Sequence, residues 1–166
     1  MQTSDTVIRR ATKADLPALV RLGALLVRTH HEFDRNRFME PRPGAEDGYA
    51  WFLGTQLAQD DAVILVAERA GEVLGYVYAG IEPLSWKELR DEAGFIHDIV
   101  VDERGRRTGL AAALIQRAID WLRERGMPRV ILWTADPNTA AQQLFTRLGF
   151  RRTMVEMTIE LGSRSG

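Results

Sequence analysis

The stretch that decides the fold is Val100-Val101-Asp102-Glu103-Arg104-Gly105-Arg106-Arg107-Thr108-Gly109-Leu110-Ala111-Ala112-Ala113-Leu114-Ile115, running on to Arg123-Glu124-Arg125-Gly126. Just before it, Phe95 to Val101 is apolar and β-branched, with His97 and Asp98 set into it. Such a run predicts a largely buried strand. Arg104 to Gly109 is polar and contains glycine, so it predicts a turn. From Leu110 the period changes. Leu110, Leu114, Ala118 and Leu122 form one helical row, and Ala111, Ile115 and Ile119 form the row beside it. Gly126 and Pro128 then stop the helix in the expected order.

A strand, a basic turn and a helix start make a place to hold an anion. The first turn of a helix carries unbonded N–H groups and about half a positive charge. Gly109 and Ala111 leave little side chain in the way, so a diphosphate can approach the main chain. Arg104, Arg106 and Arg107 add cations where the helix dipole alone disfavours them. A bound polyanion accounts for them; a solvated basic turn is the alternative. A dinucleotide-binding reading fits less well, because the Gly-x-Gly-x-x-Gly spacing is absent.

Arg106-Arg107-Thr108-Gly109-Leu110-Ala111 resembles the Arg/Gln-x-x-Gly-x-Gly/Ala signature of the GNAT superfamily, the acyl-CoA-dependent N-acyltransferases. A second block resembles the same family: Asn138-x-x-Ala141-x-x-Leu144-Phe145-x-x-x-Gly149-Phe150. The opening Ile8-Arg9-Arg10-Ala11-Thr12 and Asp15-Leu16 is similar too. The resemblance covers roughly Val7 to Glu160, with its specific part between Phe95 and Phe150. It implies an α/β (α+β) fold: a mixed, mostly antiparallel sheet of six to seven strands flanked by about four helices. It implies acetyl-CoA as co-substrate and direct transfer of its acyl group to an amine. The main chain of Ile99, Val100 and Val101 would pair with the pantetheine arm. The pyrophosphate would sit on Arg106, Arg107, Thr108, Gly109, Leu110 and Ala111. Asn138 would contact pantetheine, and Phe145 would lie near the sulfur.

Attack on a thioester needs a neutral amine, and a lysine-like amine of pKa about 10.4 arrives protonated. His97 and Asp98 are the candidate bases. Simple strand alternation sends them to opposite faces, and a histidine of ordinary pKa near 6.5 suits the task. A histidine hydrogen-bonded within the sheet is the alternative for His97. The family's usual tyrosine is Phe145 here, which cannot donate a proton to the departing thiolate. Either water serves, or another hydroxyl such as Tyr76 or Tyr78 does, or the chain binds acyl-CoA without catalysis.

The rest of the chain frames this reading. Its 166 residues suggest one domain over 1–166, with 162–166 as a frayed tail. A net charge of −1 gives no overall pull toward nucleic acid or an anionic membrane. With no cysteine, disulfides, thiolate zinc sites and a cysteine nucleophile are excluded. The amino terminus shows no signal-peptide pattern, and no apolar run approaches the roughly 20 residues of a membrane span. A cytoplasmic protein is expected, and the resemblance suggests a homodimer.

Thr6 to Arg10 predicts a strand. Thr12 to Asp15 predicts a capping box before a helix from Leu16. His30 to Gly48 predicts a long irregular connection. His30, His31, Phe33 and Phe38 within it, with Tyr78, are candidate contacts for a small-molecule or peptide amine. Neighbouring His30 and His31 do not share a helix face, so no metal site is expected. Tyr49 to Gln59 predicts a helix. Ala62 to Glu68 and Val73 to Gly80 predict a hairpin through Arg69-Ala70-Gly71-Glu72. Arg129 to Thr134 predicts a strand, and Asn138 caps the helix that follows. Arg151 to Leu161 alternates and predicts a final strand.

Overall fold

The computed structural model describes residues 5–162. The expectations for the extreme amino terminus and for the last four residues lie outside that range. The order of elements is β1 (Val7–Arg10), α1 (Leu16–Phe33), α2 (Ala45–Gln56), β2 (Ala62–Arg69), β3 (Glu72–Glu82), β4 (Ala93–Val101), α3 (Leu110–Glu124), β5 (Val130–Leu132) and α4 (Thr139–Arg147). The five strands form one sheet in chain order. Every neighbouring pair is antiparallel except β4 and β5, which run parallel.

Local signals account for the boundaries. Ala70 and Gly71 both have positive φ, 52° and 79°, the geometry of the tight primed turn that suits a hairpin. The Asp15 carboxylate accepts from the Thr12 amide at 2.7 Å, and Arg9 grips it at 2.8 Å, which holds its pKa below the usual carboxylate range. Beyond α3, the Met127 amide reaches the Leu122 carbonyl while Gly126 turns left-handed, a Schellman stop.

The sheet is covered on both faces. Toward α3 and α4 it presents Val63, Leu65, Leu74, Val77, Ala79 and Ile96, which pack on Leu110, Leu114, Ile115, Ala118 and Leu122. Toward α1 and α2 it presents Ile64, Val66, Tyr76, Tyr78 and Val100, which pack on Leu19, Leu22 and Leu53. Gly23 on α1 is a forced choice. A β-carbon there would stand 2.6 Å from the Tyr49 ring, so its absence lets α2 close on α1. Among the described residues no helix is long and apolar enough to cross a membrane.

The irregular connection is shorter than His30 to Gly48, because α1 runs on through Phe33 and α2 starts at Ala45 rather than Tyr49. Two further expectations fail. The sheet has five strands rather than six to seven, because Arg151 to Leu161 forms none. That segment follows α4 exposed and without strand pairing. Secondly, His97 and Asp98 do not point to opposite faces. Between β3 and β4, Tyr78 pairs with Asp98 and Ala79 pairs with Ile96, leaving His97 as the extra residue of a bulge. Ile96 and Ile99 both pack toward α3. The bulge therefore turns both polar side chains toward α1 and α2.

Candidate active site

The parallel pairing of β4 and β5 lasts three residues, Gly94 to Ile96 against Val130 to Leu132. β5 then ends, while β4 continues to Val101. From His97 onward, the β5-side edge of β4 has no strand partner among the described residues. A cavity of about 320 Å³ opens beside this split. Its walls include His97, Asp98 and Ile99 of β4, Leu132, Trp133 and Thr134 around the end of β5, and Asn138, Ala141 and Phe145 at α4. α1 contributes Leu26, Val27 and His30, and the chain beyond it contributes Phe38, Met39 and Tyr49.

At one end of the split lies the turn before α3. Arg107 and Gly109 take left-handed φ, 59° and 81°. Gly109 is favoured there by conformation, since a β-carbon would meet nothing within 4 Å. No side chain caps α3. Among the described residues, the amides of Arg107 through Ala112 have no hydrogen-bond acceptor. The three arginines divide. Arg104 pairs with Asp102 and Glu72, and Asp102 also takes Arg21, so Asp102 is held well below the usual carboxylate range. Arg106 and Arg107 make no ion pair among the described residues.

At the other end, the His97 ring stacks between Tyr78 and Phe95, with centroids at 4.8 and 5.7 Å. Burial pushes its pKa down, and the neighbouring Glu82 carboxylate partly restores it. His97 Nε2 lies 2.9 Å from Glu82 Oε1. In the neutral ring, the proton must sit on Nε2 to bond that carboxylate. Nδ1 is then an acceptor. Asp98 is half-buried, and the desolvation of its carboxyl raises its pKa to about 7. The Tyr76 hydroxyl donates to Asp98 Oδ2 at 3.2 Å, and the Tyr49 hydroxyl lies 3.4 Å from that of Tyr76. A phenol has one proton, so with Asp98 ionised Tyr49 is the donor of that second bond. The chain Tyr49–Tyr76–Asp98 thus joins two residues of the cavity wall through the buried Tyr76 hydroxyl.

The structure brings His97, Asp98, Ile99, Asn138, Phe145, His30 and Phe38 around one cavity. His31 and Phe33 are not among its lining residues, and neither are Tyr76 and Tyr78. His31 faces the Phe38 carbonyl, and Phe33 meets His30 edge-on. Tyr78 donates to Gln56 and carries His97 on its ring; burial pushes its phenol up to about 12. Asn138 uses its side-chain oxygen to cap α4 through the Ala141 amide at 3.2 Å. Glu82, Tyr49 and Trp133 were not expected. Glu82 and Tyr49 join the site only through pairing and packing, while Trp133 was visible as an aromatic at a strand end.

A sheet split beside a helix whose first amides stand open defines a receptor for a long ligand with an anionic end. Residues 26–150 match the acetyltransferase (GNAT) family, and the chain belongs to that family. It is 33% identical over 132 residues to the mycothiol acetyltransferase of Cellulomonas flavigena, covering 76% of this chain and 35% of that protein. It is 30% identical over 148 residues to an uncharacterised N-acetyltransferase of Methanocaldococcus jannaschii, covering 89% of this chain and 62% of the relative. The chain therefore spans about a third to somewhat under two thirds of these relatives. An aminoglycoside N-acetyltransferase in complex with CoA has the same fold, with a TM-score of 0.73 at 21% identity, over 98% of this chain and 97% of that one.

Proposed function

We propose that this chain is one catalytic domain that transfers an acetyl group from acetyl-CoA to a primary amine of a small molecule or peptide. The observation that carries the reading is the run of open amides from Arg107 to Ala112, beside two uncommitted arginines, at one end of the split between β4 and β5. Those amides and Arg106 and Arg107 would hold the pyrophosphate. The free edge of Ile99 to Val101 would hold the pantetheine arm, with Asn138 and Phe145 on its far side. Acetyl-CoA would supply the acyl group already activated as a thioester.

His97 takes the proton of the incoming ammonium on Nδ1, while Glu82 holds the other nitrogen and stabilises the imidazolium formed. The nitrogen–carbon bond forms and the carbon–sulfur bond breaks. Tyr49 is the phenol on the cavity wall, so it stands in for the tyrosine missing at 145. It passes its proton to the leaving thiolate; with Asp98 protonated the two hydroxyl bonds run the other way, and Tyr49 is refilled through Tyr76 from Asp98. His30 and Phe38 line the acceptor side. We take the reaction to be cytoplasmic, where acetyl-CoA is supplied, and the working form to be a homodimer.

The test is thiol release from acetyl-CoA against a panel of amines, together with calorimetry. Micromolar binding and amine-dependent release support the proposal; no binding at millimolar acetyl-CoA refutes it. Phe145 favours a second reading, an acyl-CoA-binding module without turnover. Binding with no release for any amine, and rescue by Phe145→Tyr, would select that reading.

A further inference from the structure

The acceptor side of the cavity is apolar. Leu26, Val27, Phe38, Met39, Tyr49 and Trp133 form it, with His30 set among them. Met39 is 60% exposed and Trp133 74%, so two large apolar groups stand open at the wall. An apolar ligand body would remove them from water. The candidate base sits in the same kind of surroundings. Trp133 meets Phe95 edge-on at 6.1 Å, Phe95 stacks on His97, and His97 lies on Tyr78.

A polycation needs carboxylates, and this wall withholds them. Asp98 is the one carboxylate among the described lining residues, and its Oδ2 already accepts from Tyr76. Glu82 answers His97, and Asp34 accepts from the Asn36 and Arg37 amides. From Glu32 to Arg42, the chain flanking the wall, Glu32, Asp34 and Glu40 are matched by Arg35, Arg37 and Arg42. Aromatic faces can hold an ammonium instead. Here the rings already carry cations: Arg37 stands 5.1 Å from the Phe38 centroid and Arg90 4.9 Å from the Phe95 centroid. One polar handle remains. His30 Nδ1 donates to the Leu26 carbonyl at 3.0 Å, which leaves Nε2 bare in the neutral ring. It can accept one bond from a hydroxyl or N–H of the ligand.

We infer that the acceptor is a primary monoamine with a hydrophobic body and no second charged group. The inference rests on the transferase reading above and names its substrate class. A monoamine surrenders its charge when His97 takes the ammonium proton. The nitrogen–carbon bond then forms as the carbon–sulfur bond breaks, and the product is an uncharged amide. A polyamine, or an aminosugar with several ammonium groups, keeps a second charge against the apolar wall, desolvated and unpaired.

Pentylamine and cadaverine provide the test, because they differ only in the second ammonium. Thiol release from acetyl-CoA gives kcat/KM for each, with phenethylamine and methylamine alongside. Pentylamine should lead cadaverine by roughly tenfold or more, although cadaverine offers two amines, and phenethylamine should lead methylamine by at least as much. Met39→Glu then places a carboxylate on the open wall. The position is exposed, so circular dichroism should stay native, and the gap between pentylamine and cadaverine should close several-fold. Calorimetry should show acetyl-CoA binding unchanged. Cadaverine equal to or ahead of pentylamine in the parent chain, or a gap that Met39→Glu leaves as it was, would overturn the substrate class and leave the transferase standing. No release with any amine, in a chain that binds acetyl-CoA, would overturn the transferase reading and the substrate class together.

Discussion

Asp98 should make this protein less stable as pH rises, and Asp98→Asn should remove that dependence. Burial raises its carboxyl from 3.8 to about 7 in the folded chain. Between those values the unfolded chain has released the proton and the folded chain still holds it. Stability then falls with pH by about 1.4 kcal/mol per unit. The total loss is on the order of 4 kcal/mol, complete above pH 7 and absent below pH 4. An asparagine keeps an oxygen for the Tyr76 hydroxyl, 3.2 Å from Asp98 in the parent chain. Urea unfolding of both proteins at half-unit steps from pH 4.5 to 8.5 measures the difference. The variant's advantage should grow steadily to pH 7 and then level, so that at pH 8 it melts roughly 8–16 °C higher. A flat difference across that range would refute the reasoning: Asp98 would then be ionised in the fold and unable to supply a proton at neutral pH. If Asp98 feeds the hydroxyl chain, the more stable variant should also turn over more slowly.

Other outcomes follow from the same geometry. Glu82→Gln removes the carboxylate that partly offsets the burial of His97, so the acidic limb of kcat/KM should move to lower pH while the coenzyme KM stays unchanged. Replacing Arg106 and Arg107 together by alanine should weaken acetyl-CoA binding on the order of 10²- to 10⁴-fold and flatten its salt dependence in calorimetry, at about 1.5–3 kcal/mol per charge-assisted bond. Arg104→Ala should cost the coenzyme little, since Arg104 already answers Asp102 and Glu72. Gly23→Ala drives a methyl to 2.6 Å from the Tyr49 ring and should cost about 1–3 kcal/mol in denaturant, with slower turnover as Tyr49 shifts.

What could be read without the structure was whatever depends on near neighbours. The hairpin at Ala70-Gly71, the stop at Gly126 and the Asn138 cap need only the chemistry of a few adjacent residues. The turn before α3 was legible for the same reason. The bulge was not, because it is a property of two strands: alternation along β4 alone sends His97 and Asp98 apart, and only pairing with β3 shows the extra residue. Nor could the three arginines be told apart by spacing. Arg104 is neutralised in part by Glu72, 32 positions earlier in the chain, whereas Arg106 and Arg107 are left for a ligand. The alternation at Met154 to Ile159 predicts a strand, yet the segment forms none. Such a pattern reports that one face seeks burial and says nothing of which sheet provides it.

The two halves of the site are built from different materials, and this decides what each can recognise. The coenzyme half we propose is main chain: open amides from Arg107 to Ala112 and the free edge of β4 beyond the split. Most side chains satisfy such a frame, so its signature reduces to a glycine at the left-handed position and small or basic neighbours. The acceptor half we propose is side chain. His30, Phe38, Met39 and Trp133 come from the end of α1, the connection beyond it and the end of β5. Changes there leave the thioester's position untouched while reshaping the amine's pocket. A substitution at Met39, which is 60% exposed, should therefore alter which amines are used without moving the KM for acetyl-CoA. If Met39→Ala raised that KM tenfold and left the amine ranking intact, this division of labour would be wrong.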